Sequence, residues 1–129
     1  MKYKSKYYNV KTRALDGTVF DSRKEAIRWD ELTLLQRAGK ISNLQRQVQF
    51  DLIPSQYERF ERYGKKGNRL KDGYRLIERA AVYTADFVYN DENGNQVVED
   101  TKSEGTKTEA YILRRKLMYY RYKIKIKEV

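Results

Sequence analysis

The sequence predicts an α/β (α+β) fold, a central mixed β-sheet flanked by helices, with its elements in the order helix, strand, hairpin, helix, strand. Three observations carry this expectation. Residues 22 to 38 place apolar side chains at helical spacing. The runs 47–53, 81–89 and 96–102 alternate, or are rich in β-branched and aromatic residues, as strands are. A second capped helical stretch from Thr108 leads into a final alternation of isoleucine with lysine.

The elements follow in chain order. Tyr8 to Thr12 and Thr18 to Phe20 form a short hairpin around a turn containing Asp16 and Gly17. From Ser22 the pattern is helical, with Ile27, Leu34 and Ala38 on one side, Trp29, Leu32 and Leu35 on the adjoining one, and Gly39 placed to stop the helix. Gln47 to Ile53 alternates with period two and ends at Pro54, the only proline. Residues 55 to 79 hold Gly64, Gly67 and Gly73 among many charges without an apolar period, which predicts an extended or partly mobile surface insertion. Ala81 to Tyr89 and Gln96 to Lys102 then make an antiparallel hairpin. Thr108 caps a helix running to about Arg121, with Ala110, Leu113, Leu117 and Tyr120 on its apolar side. Tyr122 to Lys127 makes a last strand that buries Ile124 and Ile126.

At 129 residues the chain has room for one domain, 1–129, with the basic insertion at about 55–79 as its appendage. Lys and Arg number 28 against 18 Asp and Glu, giving a net charge of +10, so a polyanionic partner is expected. Cysteine and histidine are both absent. That excludes disulfides, thiolate or imidazole zinc sites and triad nucleophiles, and any catalysis has to run on carboxylates and lysine, with or without a metal. The sequence contains no apolar run near the length of a membrane span and no hydrophobic signal segment after Met1, so a soluble, cytoplasmic protein without a membrane partner is expected.

The positive charge is segregated. Residues 1 to 13 carry Lys2, Lys4, Lys6, Lys11 and Arg13 with no acid, residues 57 to 79 hold eight basic and four acidic side chains, and residues 114 to 127 hold seven basic and none acidic. Such runs are commonly solvated faces. Three of them around an acidic centre would instead form a positive rim about a carboxylate site. Nine of the twelve tyrosines lie in these segments; most tyrosines are expected at the core periphery with the hydroxyl reaching water, although such rings also stack on unpaired bases.

Four residues stand out as chemistry: Glu25, Asp86, Asp100 and Lys102. Val82, Thr84, Asp86 and Val88 share one face of the first hairpin strand, and Gln96, Val98, Asp100 and Lys102 share one face of the second. Carboxylates in half-buried rows need a partner, and two that converge are relieved by a divalent cation, which also polarises a phosphodiester and lowers the pKa of bound water. Lys102 would hold the attacking water or stabilise charge on the phosphate. The turn sets which residues converge. A two-residue Asn93-Gly94 turn makes opposed residue numbers sum to 187 and places Asp86 with Glu99 and Thr101, whereas a three-residue Glu92-Asn93-Gly94 loop makes the sum 186 and places Asp86 opposite Asp100. Only the second assembles the site, and it is the arrangement expected here. Glu25 fits a capping box with Ser22, and also shares its side of the helix with Trp29 and Leu32, which turns it toward the packed side. Taken singly, Lys102 would be a surface strand lysine and each aspartate a member of a structural ion pair; the joint spacing favours chemistry.

Tyr83-Thr84-Ala85-Asp86-Phe87, then Val97-Val98-Glu99-Asp100-Thr101-Lys102, preceded by a helix opening Ser22-x-x-Glu25, resembles the PD-(D/E)xK nuclease superfamily. From about Tyr7 to Val129 the chain looks like small phage-encoded members described as endonucleases or Holliday-junction-resolvase-like. The resemblance implies a restriction-endonuclease-like core and phosphodiester cleavage with Mg²⁺ or Mn²⁺. In it Asp86 and Asp100 bind the metal, Lys102 is the motif lysine, Glu25 completes the acidic cluster, and Gln47 resembles a polar residue often found near such sites. Ala85 stands where relatives often have proline, and Ser103-Glu104-Gly105 stands where they often show glycine at once. The expected function is that of a metal-dependent DNA endonuclease of the host-cell cytoplasm, with phosphates held by Lys65, Lys66, Arg69, Lys71, Arg114 and Arg115. Cutting two strands would favour a homodimer. The competing expectation is a non-catalytic nucleic-acid-binding protein whose acidic cluster is structural.

Overall fold

The computed structural model describes residues 10–102, 105 and 107–129. It is a mixed α+β structure whose main sheet runs β3 (Ser42–Ile53), β6 (Ala81–Asn90), β7 (Gln96–Asp100), β8 (Lys127–Glu128) from edge to edge. The first two pairings are antiparallel and the last is parallel. Helix α1 (Arg23–Arg37) covers one face and α2 (Glu109–Tyr122) the other. A small hairpin, β1 (Thr12–Arg13) with β2 (Val19–Phe20), leads into α1. It is shorter than the sequence suggests, and Tyr8 and Asn9 lie outside the described residues. No described helix is long and apolar enough to cross a membrane.

Helix α1 begins where the Ser22 hydroxyl accepts a hydrogen bond from the Glu25 amide at 3.2 Å, which satisfies one of the orphan donors of the first turn. It ends in a Schellman arrangement: Gly39 adopts φ +76° and donates to the Gln36 carbonyl, while the Lys40 amide reaches back to Leu35. Of the two apolar sides in the pattern, the one bearing Trp29 and Leu32 is packed and the one bearing Ile27 and Leu34 is not. Ala26 and Leu32 are buried with Trp29 beside them, whereas Ile27, Leu34 and Leu35 face outward. Ala26 is too small to mark a face in the pattern, and the larger aliphatic groups misdirect the reading. Helix α2 shows the same effect: Tyr111 and Met118, seven residues apart, are its buried side, while Leu113 and Tyr120 are exposed.

Three further expectations are corrected. The strand expected at 47–53 begins at Ser42, because polar residues occupy its solvent positions and hide the alternation. Residues 55 to 79, expected as an extended or partly mobile surface insertion, form a two-stranded antiparallel ribbon, β4 (Gln56–Phe60) with β5 (Gly73–Glu78), extended by a bridge from Tyr63 to Arg69. Its two faces are both solvated, so no burial rhythm marks it. Phe60 instead lies directly over Gly73, a position where any side chain would collide with the ring. The last strand is confined to Lys127–Glu128. Tyr122 completes α2, and Lys123 stands in the left-handed region at φ +58°. Ile124 and Ile126 still pack against the core, but from an irregular segment.

The contact that fixes α1 on the sheet is ionic. Glu99 of β7 is fully buried and accepts two hydrogen bonds from Arg28, Nε to Oε1 and NH2 to Oε2, both at 2.7 Å. The Tyr89 hydroxyl donates to the same carboxylate, and Lys127 lies 4.0 Å away. The bidentate fork satisfies geometry as well as charge, and holds the Arg28 guanidinium pKa above its usual value. Arg28→Ala leaves this carboxylate buried and unpaired, and should lower unfolding free energy by about 3 kcal/mol, read as a fall in urea midpoint with little change in slope.

Candidate functional site

The hairpin that positions the acids is set by its loop. The Asp91 amide donates to the Asn95 carbonyl at 2.9 Å, the Gly94 amide donates back to Asp91 at 3.0 Å, and Gly94 has φ +79°. Only glycine adopts that conformation without strain. The Asp91 carboxylate further accepts from the amides of Asn93 and Asn95, each at 2.9 Å. The loop is therefore the three-residue Glu92-Asn93-Gly94. Phe87 pairs with Glu99, Val88 with Val98 and Tyr89 with Val97, each pair summing to 186. One step further, Asp86 comes opposite Asp100.

The expected row of Val82, Thr84, Asp86 and Val88 is broken at Asp86. Tyr83 and Ala85 pack with the α2 side, yet Phe87 and Tyr89, of the same parity, pack with the α1 side. Strand β3 changes side at the same level: Arg46 lies over the Phe20 ring on the α1 side, while Val48, Phe50 and Leu52 join the α2 core. Between Arg46 and Val48 stands Gln47 with φ +52°, a left-handed residue inside a strand. Gln47 is exposed, and its backbone marks the place where the sheet turns over. Asp86 sits at that crossover and can interact with groups from both sides.

It does so. Asp86 Oδ2 accepts from the Thr101 amide at 2.8 Å and the Thr101 hydroxyl at 2.7 Å. Burial and then the adjoining Asp86 push the Asp100 carboxyl from 3.8 up to about 8, against the opposing pull of Lys102 and of the Tyr83 hydroxyl, which donates at 2.9 Å. Glu25, half-buried on α1, is raised by desolvation first and by Asp86 next, with Ser22 and Arg46 opposing. Lys102 Nζ is 3.6 Å from Asp100 and 4.5 Å from the centre of the Tyr111 ring. Its carbonyl accepts from Lys24 Nζ at 2.8 Å and its amide donates to Val129 at 3.0 Å, so its backbone is fixed on both sides.

Asp86, Asp100 and Lys102 line an open cleft of about 470 Å³ together with Tyr83, Tyr111 and Arg114. The structure thus gathers Asp86, Asp100 and Lys102 in one cleft, whereas Glu25 is not among its lining residues and is linked to the cluster only through the charge of Asp86. Asp86 and Asp100 form the close pair; among the described residues, no set of three acids is near enough to share a metal ion. Two tyrosines are additions. Tyr83 holds Asp100, and the Tyr111 hydroxyl is buried with no hydrogen-bond partner among the described residues. Tyr111 follows the cap Thr108 by three positions, the first-turn place whose amide donates to the cap hydroxyl, and that spacing was the available signal.

The expected phosphate contacts are dispersed. Lys65, Lys66 and Lys71 are exposed on the ribbon, whereas Arg69 is held there by Asp72 at 2.5 Å and Glu61 at 3.5 Å. Arg114 borders the cleft, while Arg115 is paired with Glu128 at 3.0 Å. The basic residues Lys2, Lys4 and Lys6, and Ser103 and Glu104 after the motif, lie outside the described residues.

The family model described as protein of unknown function (DUF1064) matches residues 4–128. No curated protein and no solved structure matches the chain.

A carboxyl whose folded pKa is about 8 and whose usual value is 3.8 keeps its proton in the folded state while the unfolded chain releases it. Stability from this group is complete at acidic pH and is lost as pH rises between these two values. Asp100→Asn removes the penalty, so without divalent cation the variant should melt several degrees above the parent at pH 8 and close to it at pH 4, by calorimetry at both.

Proposed function

For this chain, which belongs to the DUF1064 family of proteins of unknown function, we propose metal-dependent hydrolysis of phosphodiester bonds in DNA. One observation supports the reading most: the Asp86 and Asp100 carboxyls are held against each other in an open cleft, at a cost in stability, beside Lys102 and an unpartnered buried hydroxyl. A protein without use for that arrangement would gain by losing one of the acids.

Two opposed carboxyls fit a divalent cation, which replaces the proton that Asp100 otherwise retains. Asp86 and Asp100 would hold Mg²⁺ or Mn²⁺, with Glu25 adding charge from the α1 side. Once bound, the ion polarises the phosphodiester and acidifies a bound water. The protein's own groups do the rest. Thr101 fixes the Asp86 oxygen and Tyr83 fixes the Asp100 oxygen, so both are oriented before substrate arrives. Lys102 places its ammonium where charge develops on the phosphate or where the attacking water stands. The Tyr111 hydroxyl supplies a donor for a phosphate oxygen, and Arg114 offers a charge at the cleft's border. Attack is by water directly, without a covalent enzyme intermediate. The basic ribbon contributes phosphate contacts from a distance. Branched, Holliday-junction-like DNA follows from the sequence resemblance, and a homodimer from the need to cut two strands.

A second reading, nucleic-acid binding without catalysis, is favoured by a specific observation: among the described residues the acids in place are a pair and not a three-ligand set. Incubation with supercoiled, branched and single-stranded DNA separates the two readings. Cleavage is expected with Mg²⁺ and not with chelator, and Asp100→Ala should slow it at least roughly 100-fold, since loss of an outer-shell partner alone commonly costs 10 to 100-fold. No cleavage of any substrate with metal, or an Asp100→Ala protein as fast as the parent, defeats the hydrolytic reading. Replacing Lys65, Lys66 and Arg69 each by Gln should reduce the slope of log affinity against log salt by about 2 units, the two unpaired lysines each accounting for about 0.9. An unchanged slope removes the ribbon from the interface.

A further inference from the structure

Beyond the acidic cleft, α2 carries a second concave surface at its C-terminal end, a groove of about 580 Å³. Tyr119 and Tyr120 form one wall and the segment Lys123 to Ile126 the other, with Lys116 and Arg115 at the side. The groove exists because the chain reverses at Lys123. This residue holds a left-handed conformation, φ +58°, that glycine would adopt more cheaply, and its amide closes the helix on the Tyr119 carbonyl. The following residues then run back beside the helix, with Ile124 and Ile126 anchored in the core.

Three properties of the lining define what fits. Tyr120 is 79% exposed and Tyr119 48%, so two aromatic rings of the lining are open to solvent. The Lys123 and Lys125 ammonium groups lie 5.2 and 6.0 Å from the Tyr119 ring centre, so one ring already carries two cations. No acidic residue lines the groove. A second copy of this surface would bring like charges together, and duplex DNA presents no unstacked base to a tyrosine. Aromatic faces interleaved with ammonium groups match alternating bases and phosphates in an unpaired strand.

We propose that this groove binds single-stranded nucleic acid, with a base stacked on Tyr120 and phosphates held by Lys116, Lys123 and Lys125. Tyr111, in the acidic cleft, and Tyr120 belong to one helix and are separated by about 13 Å along its axis at 1.5 Å per residue. Nine residues at about 3.6 per turn also make about two and a half turns, so the two rings stand on opposite sides of α2, and the groove and the acidic cleft are separate surfaces. Binding in the groove does not depend on the hydrolysis proposed above.

The test measures fluorescence anisotropy of a labelled oligothymidylate and of a duplex of equal length, both with chelator present so that nothing is cut. Tyr120→Ala should weaken single-strand binding about tenfold, within the range that loss of one stacking platform gives. Tyr120→Phe should bind like the parent, and duplex affinity should be the same for all three proteins. Lys123→Gly, which suits the backbone there, should keep or raise the melting temperature and lower the single-strand salt slope by about 0.7. Absence of single-strand binding by the parent, a Tyr120→Ala protein that binds the single strand undiminished, or equal losses on single strand and duplex overturns the proposal. Tight single-strand binding by a protein that cleaves nothing with Mg²⁺ would defeat the hydrolytic reading alone.

Discussion

Glu99 and Asp100 are neighbours in one strand, so the pleat sends their carboxylates to opposite faces of the sheet. The first is fully buried, and Arg28 closes on it with two hydrogen bonds at 2.7 Å while Tyr89 adds a third. That contact sets the position of α1 along the strand and the orientation of β7. A buried ion pair of this kind contributes little net stability compared with apolar packing, but it tolerates one arrangement only, since any slip strands a charge in the core. Once Glu99 faces α1, Asp100 must face α2, and the acidic cleft follows from the side of the sheet that Arg28 does not neutralise.

The two carboxylates of the strand therefore have opposite energetic characters. Glu99 has its cation permanently in place, supplied by the protein. Asp100 is held well above its normal pKa by burial and by the aspartate beside it, against the pull of a lysine 3.6 Å away and a tyrosine donor. The crossover at Gln47 and Asp86 is the backbone device behind this. By turning the sheet over at one level, it lets Asp86 interact with Glu25 from the α1 side and with Asp100 on the α2 side. Strain at Gln47 and repulsion at Asp86 thus occur in opposed strands at the same height, the kind of local conflict that a binding site retains and a purely structural region sheds.

Charge on this protein works at two ranges. Part of it is paired: Arg28 with the buried Glu99, Arg115 and Lys107 with Glu128 and, on the solvated ribbon, Arg59 and Arg69 with Asp72. Outside, Lys65, Lys66 and Lys71 on the ribbon and the lysines around Tyr119 and Tyr120 make positive surfaces of different texture. The ribbon presents charge on a narrow, solvated support. The α2 groove combines charge with exposed aromatic faces. These suit different features of one polyanion, a phosphate backbone in the first case and unstacked bases in the second.

Local chemistry was legible wherever a residue acts on its own neighbours. Ser22 and Gly39 bound α1, Thr108 starts α2, and the glycine at 94 selects the three-residue loop, which in turn fixes the register bringing Asp86 opposite Asp100. The four residues Glu25, Asp86, Asp100 and Lys102 could be named for the same reason: strand parity and helix spacing are properties of short segments. What eluded the sequence depends on contacts between segments far apart in the chain. The buried side of α2, the ribbon at 56–78, the fate of Glu99 and the sheet crossover at Gln47 all belong to this class. Arg28 and Glu99 are 71 positions apart, and nothing in either segment marks them as partners. Short-range preferences settle the elements, while the choice of which face each one buries is a competition among packing arrangements that exists only once the chain has closed on itself.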